Sequence, residues 1–305
     1  MSSSIVLETT NLTKHYGKIK AVSDMNLSIK EGSVFGILGP NGSGKSTTLG
    51  MALGVTKPTS GSFKWFGGET NHHVRKQIGA ILERPIFYPA FTAEENLRIT
   101  AQIKQVDRSR IDDVLKLVGL YDRRSSKFKT YSLGMKQRLA IGSAMISDPK
   151  VLILDEPTNG LDPQGIAEIR GIILDIAKKG KTIVLASHLL DEVQKVCNEF
   201  CVLRNGKLIF QGAVSETGNS AQQEVEFGTA NGKGLDFAKE LDFVEVIEVL
   251  HSGVIRAHLD SGFSAEKLNE IAHSKGLVFN HLVARSQTLE EKFLEILKND
   301  ETLKS

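Results

Sequence analysis

The chain has 305 residues, 40% hydrophobic and 24% charged, which is enough apolar material for one large domain plus a small one, or for two domains. A formal net charge of +2 supplies no global field for binding nucleic acid, and no apolar run approaches the roughly 18 residues of a membrane-spanning helix. The start, MSSSIVLETT, lacks the basic and apolar regions of a secretory signal, so any work at a membrane needs a second chain to supply the passage.

In chain order, residues 5–10 and 21–29 are predicted strands, the second alternating Val22, Met25, Leu27 and Ile29 with polar neighbours. Residues 33–38 form a short apolar run, the pattern of a strand buried on both faces. It ends in Gly39-Pro40-Asn41-Gly42-Ser43-Gly44-Lys45-Ser46, which fits G-x-x-x-x-G-K-[ST]. Phosphates need many donors at close range. Glycines at 39, 42 and 44 let backbone N–H groups turn inward, and the helix expected at 45–53 adds its positive end. Lys45 would reach the β- and γ-phosphates, and the Ser46 hydroxyl would bind Mg²⁺. Thr47 can bond a phosphate oxygen, and Thr48 is grouped with the same loop.

Residues 56–61 hold Pro58 and Gly61 and predict a turn. Trp65 is expected in a strand as packing, and His72-His73 in a solvated loop. From residue 92 to about 147 the pattern is helical, with candidates at 93–105, 111–118 (stopped by Gly119) and 133–147. Residues 151–154 are a strand that delivers Asp155 and Glu156 at its C-terminal end, where ligands bind in open α/β sheets. Asp155 should hold Mg²⁺, and Glu156 should orient or deprotonate an attacking water. Pro163 sits where a helix begins, Ile166, Ile169, Ile172, Ile173 and Ile176 continue it, and Gly180 ends it. A strand at 182–186 precedes His188, which could bond the γ-phosphate, and a helix at 189–196. Cys197 and Cys201 are too sparse for a four-ligand zinc site and are expected as small apolar fillers. Strands around Asn205-Gly206 predict a hairpin with a type I′ turn.

Residues 215–220 predict a linker. Strands at 224–227, 244–250 and 254–258, with a helix at 265–274, predict a small α+β domain at 221–305. A capping box of Thr288 with Glu291 opens a last helix carrying Leu289, Phe293, Ile296 and Leu297.

Together these residues resemble the ATP-binding cassette (ABC) family. The stretch Tyr131-Ser132-Leu133-Gly134-Met135-Lys136-Gln137-Arg138 is similar to the family signature, a more diagnostic motif than the phosphate loop. The resemblance covers about residues 5–212, in the family's order throughout. It implies an α/β fold of the P-loop NTPase type: an ABC ATP-binding domain at 1–214 with a mainly parallel sheet core, an antiparallel β part and a helical insertion at about 90–149. It also implies roles. Tyr16 would stack on adenine. Ser132 and Gly134 would meet the γ-phosphate held by another protomer. Asp162, in Asn159-Gly160-Leu161-Asp162, would cross between protomers, and Ser187-His188 resembles the histidine switch. Lys45, Glu156 and His188 would be the catalytic group.

One position departs. Glu83 stands where the family usually has glutamine, a variant that resembles the bacitracin and lantibiotic exporter branch. A carboxylate there can still meet Mg²⁺ but cannot donate an amide hydrogen bond. The segment 288–294 looks like the tail of many drug-exporter ATPases. The resemblance thus implies ATP and Mg²⁺ as ligands, a homodimer, an integral-membrane permease as partner, no nucleic acid, and a cytoplasmic place on the inner face of the membrane. Two other readings stay open: a soluble ABC ATPase acting on nucleic acid or ribosomes, and a non-hydrolytic ATP sensor. The single phosphate loop and near-neutral charge argue against the first, and Glu156 with His188 against the second.

Overall fold

The long strand β1 (Ile5–Tyr16) pairs antiparallel with β2 (Ile19–Met25) and β3 (Ser28–Lys30). The single strand expected at 21–29 is therefore two. Val22, Met25, Leu27 and Ile29 are all buried, as the alternation requires. The ladder nevertheless shifts register around Asp24, whose φ is 48°, and is interrupted at Asn26 and Leu27. Side chains hold that break: Thr13 Oγ1 accepts from Asp24 N at 2.9 Å, and Asn26 Oδ1 accepts from Asn11 N at 2.9 Å. Local polar bonds of this kind compete with a continuous ladder.

β4 (Val34–Leu38) is buried at every residue and runs into α1 (Lys45–Ala52). β5 (Ser60–Trp65) returns to pair with β1, and Trp65 is fully buried with its indole N–H donating to Ala52 O at 2.8 Å. The loop expected at His72-His73 is instead a short helix, α2 (His72–Lys76), started by Asn71, whose side chain accepts from Val74 N. It leads into β6 (Ile78–Ile81), a strand absent from the sequence reading because Gly79 and Ala80 weaken its apolar signal.

Three helices follow: α3 (Ala93–Lys104), α4 (Ser109–Leu117) and α5 (Leu133–Met145). α3 opens on a capping box, with Glu95 N donating to Thr92 Oγ1 at 3.1 Å and Thr92 N to Glu95 Oε2 at 2.7 Å. α5 lies close on β6: a Cβ at Gly79 would stand 2.3 Å from Ala144 O, so only glycine permits the approach. Then come β7 (Val151–Asp155), α6 (Pro163–Lys178), β8 (Thr182–Ser187), α7 (Leu190–Val196), β9 (Glu199–Arg204) and β10 (Lys207–Ala213). These strands make a six-stranded sheet in the order β10-β9-β4-β8-β7-β6, and its pairs from β9 to β6 are parallel. Asn205 and Gly206 both have positive φ, as a type I′ turn demands.

The chain divides into two compact units, Met1–Gly212 and Ala213–Ser305. The first has its own core, including Phe35, Leu49, Trp65, Ile153 and Val184. The second contains β11 (Gln223–Thr229), α8 (Gly234–Lys239), β12 (Val244–Val249), β13 (Ile255–Leu259), α9 (Ala265–Ser274) and β14 (Phe279–Arg285). Its antiparallel sheet has the order β12-β13-β11-β14, and Val225, Phe227, Phe237, Ile255 and Leu268 pack together. α8 and β14 are further elements that sequence periodicity missed.

This computed structural model describes residues 4–68, 71–82, 86–214, 223–250, 253–260 and 262–285. Glu83, the linker expected at 215–220 and the helix expected after Thr288 lie outside the described residues. Among the described residues, no helix is long and apolar enough to cross a membrane.

Candidate active site

The loop from Gly39 to Lys45 joins the buried end of β4 to α1. Gly44 precedes the helix at φ 106°, and a Cβ there would lie 2.6 Å from Ala21 O. Glycine is thus required twice over, by dihedral and by space. Ser43 Oγ is buried with no hydrogen-bond partner, an open polar group under the loop. The hairpin turn supports the loop from outside, since Gly206 N donates to Ser43 O at 3.0 Å.

The Lys45 ammonium is only 5% exposed. It donates to Gly39 O at 2.7 Å and Pro40 O at 3.3 Å, and lies 3.2 Å from Glu156 Oε1. Glu156 follows the last residue of β7 with φ 49°, a left-handed conformation rare outside glycine. Its backbone N donates to Ala186 O at 2.9 Å, and its Oε2 lies 2.7 Å from His188 Nδ1. Lys45, Glu156 and His188 thus form one continuous chain of polar contacts, drawn from three different strand ends. Asp155, 2% exposed, lies at the C-terminal end of β7.

A cavity of about 500 Å³ opens over this chain. Tyr16, Asn41, Gly42, Gly44, Lys45, Ser46, Thr47 and Glu156 line it, all of them residues expected from sequence. So do Ile19, Lys20, Ala21 and Asn205, which sequence reasoning did not select. Tyr16 and Ile19 are exposed, 49% and 68%, and an exposed aromatic ring of this kind can stack a planar base. Exposed apolar residues flanking Gly17 were the only available signal. Thr48 departs from expectation: it is buried, and its hydroxyl donates to Gly44 O at 2.8 Å, so it braces the loop from the core side.

Ser132, Gly134 and Asp162 are not brought to this cavity. They line a second one of about 440 Å³ that shares no residue with the first. Ser132 caps α5, its Oγ accepting from Met135 N at 3.2 Å. Asp162 caps α6, its Oδ1 accepting from Gly165 N at 2.8 Å. Two helix N-termini therefore face the same space, an arrangement that favours an anion. One chain thus carries two separate cavities, the phosphate-loop residues in one and Ser132, Gly134 and Asp162 in the other.

The residues suit a magnesium ion. Ser46 and Asp155 are hard oxygen donors beside the phosphate loop, and the described residues contain no cluster of three or more acidic, His or Cys side chains for a fully protein-held ion. That donor set matches an ion that keeps several waters and shares phosphate oxygens.

The chain resembles known proteins along most of its length. The family model described as ABC transporter matches residues 22–159. The chain is 37% identical over 300 residues to the bacitracin transport ATP-binding protein BcrA of Bacillus licheniformis, covering 96% of this chain and 98% of that protein. Among solved structures it resembles cbiO1 of Clostridium perfringens, part of the ABC transporter complex cbiONQ, with a TM-score of 0.65 at 32% identity over 70% of this chain and 90% of that one. It also resembles the dimeric ATP-binding cassette MJ0796 bound to ADP and Pi, with a TM-score of 0.61 at 27% identity over 68% of this chain and 98% of that one.

Proposed function

The chain belongs to the ATP-binding subunits of the ABC transporter family, and on that premise we propose that two copies close around two ATP molecules and hydrolyse them to drive a membrane permease. The observation that carries this reading is the separation of the two cavities. The first has the phosphate loop and the carboxylate Glu156 but no Ser132, Gly134 or Asp162. The second has those three but no phosphate-loop residue. A second copy, turned so that its second cavity covers the first, supplies what each lacks. The dimeric cassette MJ0796 supports this arrangement.

In each site, adenine would rest on Tyr16 and Ile19, and the triphosphate on the backbone N–H groups from Gly39 to Thr47. Lys45 would leave the Gly39 and Pro40 carbonyls for the β- and γ-phosphates. Its departure also uncovers Glu156 Oε1, which then accepts a proton from the attacking water or orients it. His188 would donate from Nδ1 to Glu156 Oε2, and only as the imidazolium, with both ring nitrogens protonated, would it also donate from Nε2 to the γ-phosphate. Ser46 and Asp155 would hold Mg²⁺, which when bound neutralises charge on the phosphate oxygens. The opposing Ser132 hydroxyl, Gly134 N–H and α5 N-terminus would meet the same charge from the other side.

The permease would dock on a groove of about 450 Å³ between the sheet and the helical insertion. Ile81, Leu82 and Ile99 line it, and Ile86, Tyr88 and Ile103 stand 94%, 59% and 73% exposed there. Glu83 lies next to this groove in sequence, which supports a coupling role for it. On this reading the chain is cytoplasmic and held at the membrane by the permease. BcrA's bacitracin transport supports outward movement of cargo.

Glu156→Gln tests the proposal. The variant should bind ATP with near-native affinity, lose about 100-fold or more in turnover, and form a stable ATP-dependent dimer by size exclusion. A strictly monomeric variant under saturating ATP, or one with full turnover, overturns the reading.

A further inference from the structure

The second cavity is lined by α5, α6 and the residues leading into them, and one of its side chains also reaches the end of α4. Arg138 lies on α5, the helix capped by Ser132. Its Nη1 donates to Val118 O and Gly119 O, each at 3.1 Å, the free carbonyls just past α4. Its Nε lies 3.3 Å from Glu168 Oε2 on α6, the helix capped by Asp162. Glu168 is steadied from the other side, where Gln164 Nε2 donates to its Oε1 at 3.3 Å. Arg138, Gln164 and Glu168 all line the cavity between Ser132 and Asp162. The Arg138 side chain is 17% exposed and that of Glu168 40%, so the pair lies at the rim of the cavity with its guanidinium end the better covered.

We propose that Arg138 is a positioning residue that fixes the turn from Ser132 to Gly134 against the loop ending at Asp162, and so sets the face offered to a second copy. The proposal rests on the two-copy reading above. A guanidinium suits the task because its planar fork reaches two carbonyls and a carboxylate at once; an ammonium on a flexible stem cannot. Arg138 touches none of the residues of the nucleotide cavity, so it acts on the opposing site without contributing to nucleotide affinity in its own.

The test uses the full chain with Arg138→Lys and, separately, Glu168→Gln, which leaves the two carbonyl bonds in place. In the Glu156→Gln background, affinity for a fluorescent ATP analogue should stay within about twofold, while the protein concentration for half-dimerisation under saturating ATP rises about tenfold in Arg138→Lys, the size of one charge-assisted hydrogen bond to a carbonyl, and about threefold in Glu168→Gln, which weakens only an ion pair. With Glu156 intact, kcat should fall about tenfold and KM for ATP should hardly move. Unchanged dimerisation and kcat in both variants overturn the proposal. So does a parallel loss of nucleotide affinity and thermal stability, which marks a general folding role. If Glu156→Gln alone never dimerises, the two-copy reading itself fails, and it fails visibly apart from any effect of Arg138.

Discussion

Lys45 and Glu156 lie 3.2 Å apart and are each bonded elsewhere, Lys45 to loop carbonyls and Glu156 to His188. Each is held in a position that an incoming phosphate would change, because a charge this poorly solvated needs a partner at all times. The two cysteines illustrate the opposite case. Burial pushes the Cys197 thiol up to about 12 and raises Cys201 as well, with no charged partner to offset it. Both should therefore resist an alkylating reagent at pH 8 in the folded chain and react once urea unfolds it. The linkage sign follows. From an unfolded value near 9, the unfolded chain loses thiol protons that the folded chain keeps. These thiols should thus leave stability unchanged well below pH 9 and lower it progressively as pH rises above 9. Urea midpoints across that range, compared with a Cys197→Ala, Cys201→Ala double variant, check the assignment; equal slopes in the two proteins would refute it.

Among the elements, α5 has the most to position. Its N-terminus carries Ser132, its middle carries Arg138, and its last turn rests on β6. That contact is possible because Gly79 has no side chain, and a Cβ there would overlap backbone atoms of Ala144. Gly79→Ala should push α5 away from the sheet, destabilise the chain by about 1–3 kcal/mol, and lower turnover beyond what the loss of folded protein explains. Denaturant unfolding and active-site-normalised ATPase rates would measure both effects. A variant with native stability and native turnover would mean that α5 adjusts freely and that the contact positions nothing.

At the scale of the molecule, the two compact units have separate cores, and every residue lining the nucleotide cavity belongs to the first. The solved cassettes cbiO1 and MJ0796 match only 70% and 68% of this chain while covering 90% and 98% of their own. A chain ending at Val214 should therefore fold and bind ATP within about twofold of the full-length affinity, since affinity follows from contacts that it retains. Isothermal titration would decide. A loss of binding in a well-folded truncation would assign the second unit a direct part in the nucleotide site. We propose that the second unit is accessory to ATP binding.

Most of the chemistry was legible along the chain. The phosphate loop, the Asp155-Glu156 strand end and the capped start of α5 are local patterns, because each depends on the residue types of one short segment and the turn they force. Tertiary structure decided what no segment contains. It showed that Thr48 faces the core, that Ile19 lines the same cavity as Tyr16, and that Gly79 admits a helix. It split the predicted strand at Asn26 and Leu27, where the chain bonds to Asn11 and Thr9, more than ten positions away. It also gave Ser132, Gly134 and Asp162 a cavity of their own, separate from that of the phosphate-loop residues. Which groups meet is set by how strands order themselves in a sheet and how helices pack on them, and those contacts join residues far apart in sequence, beyond the reach of any local pattern.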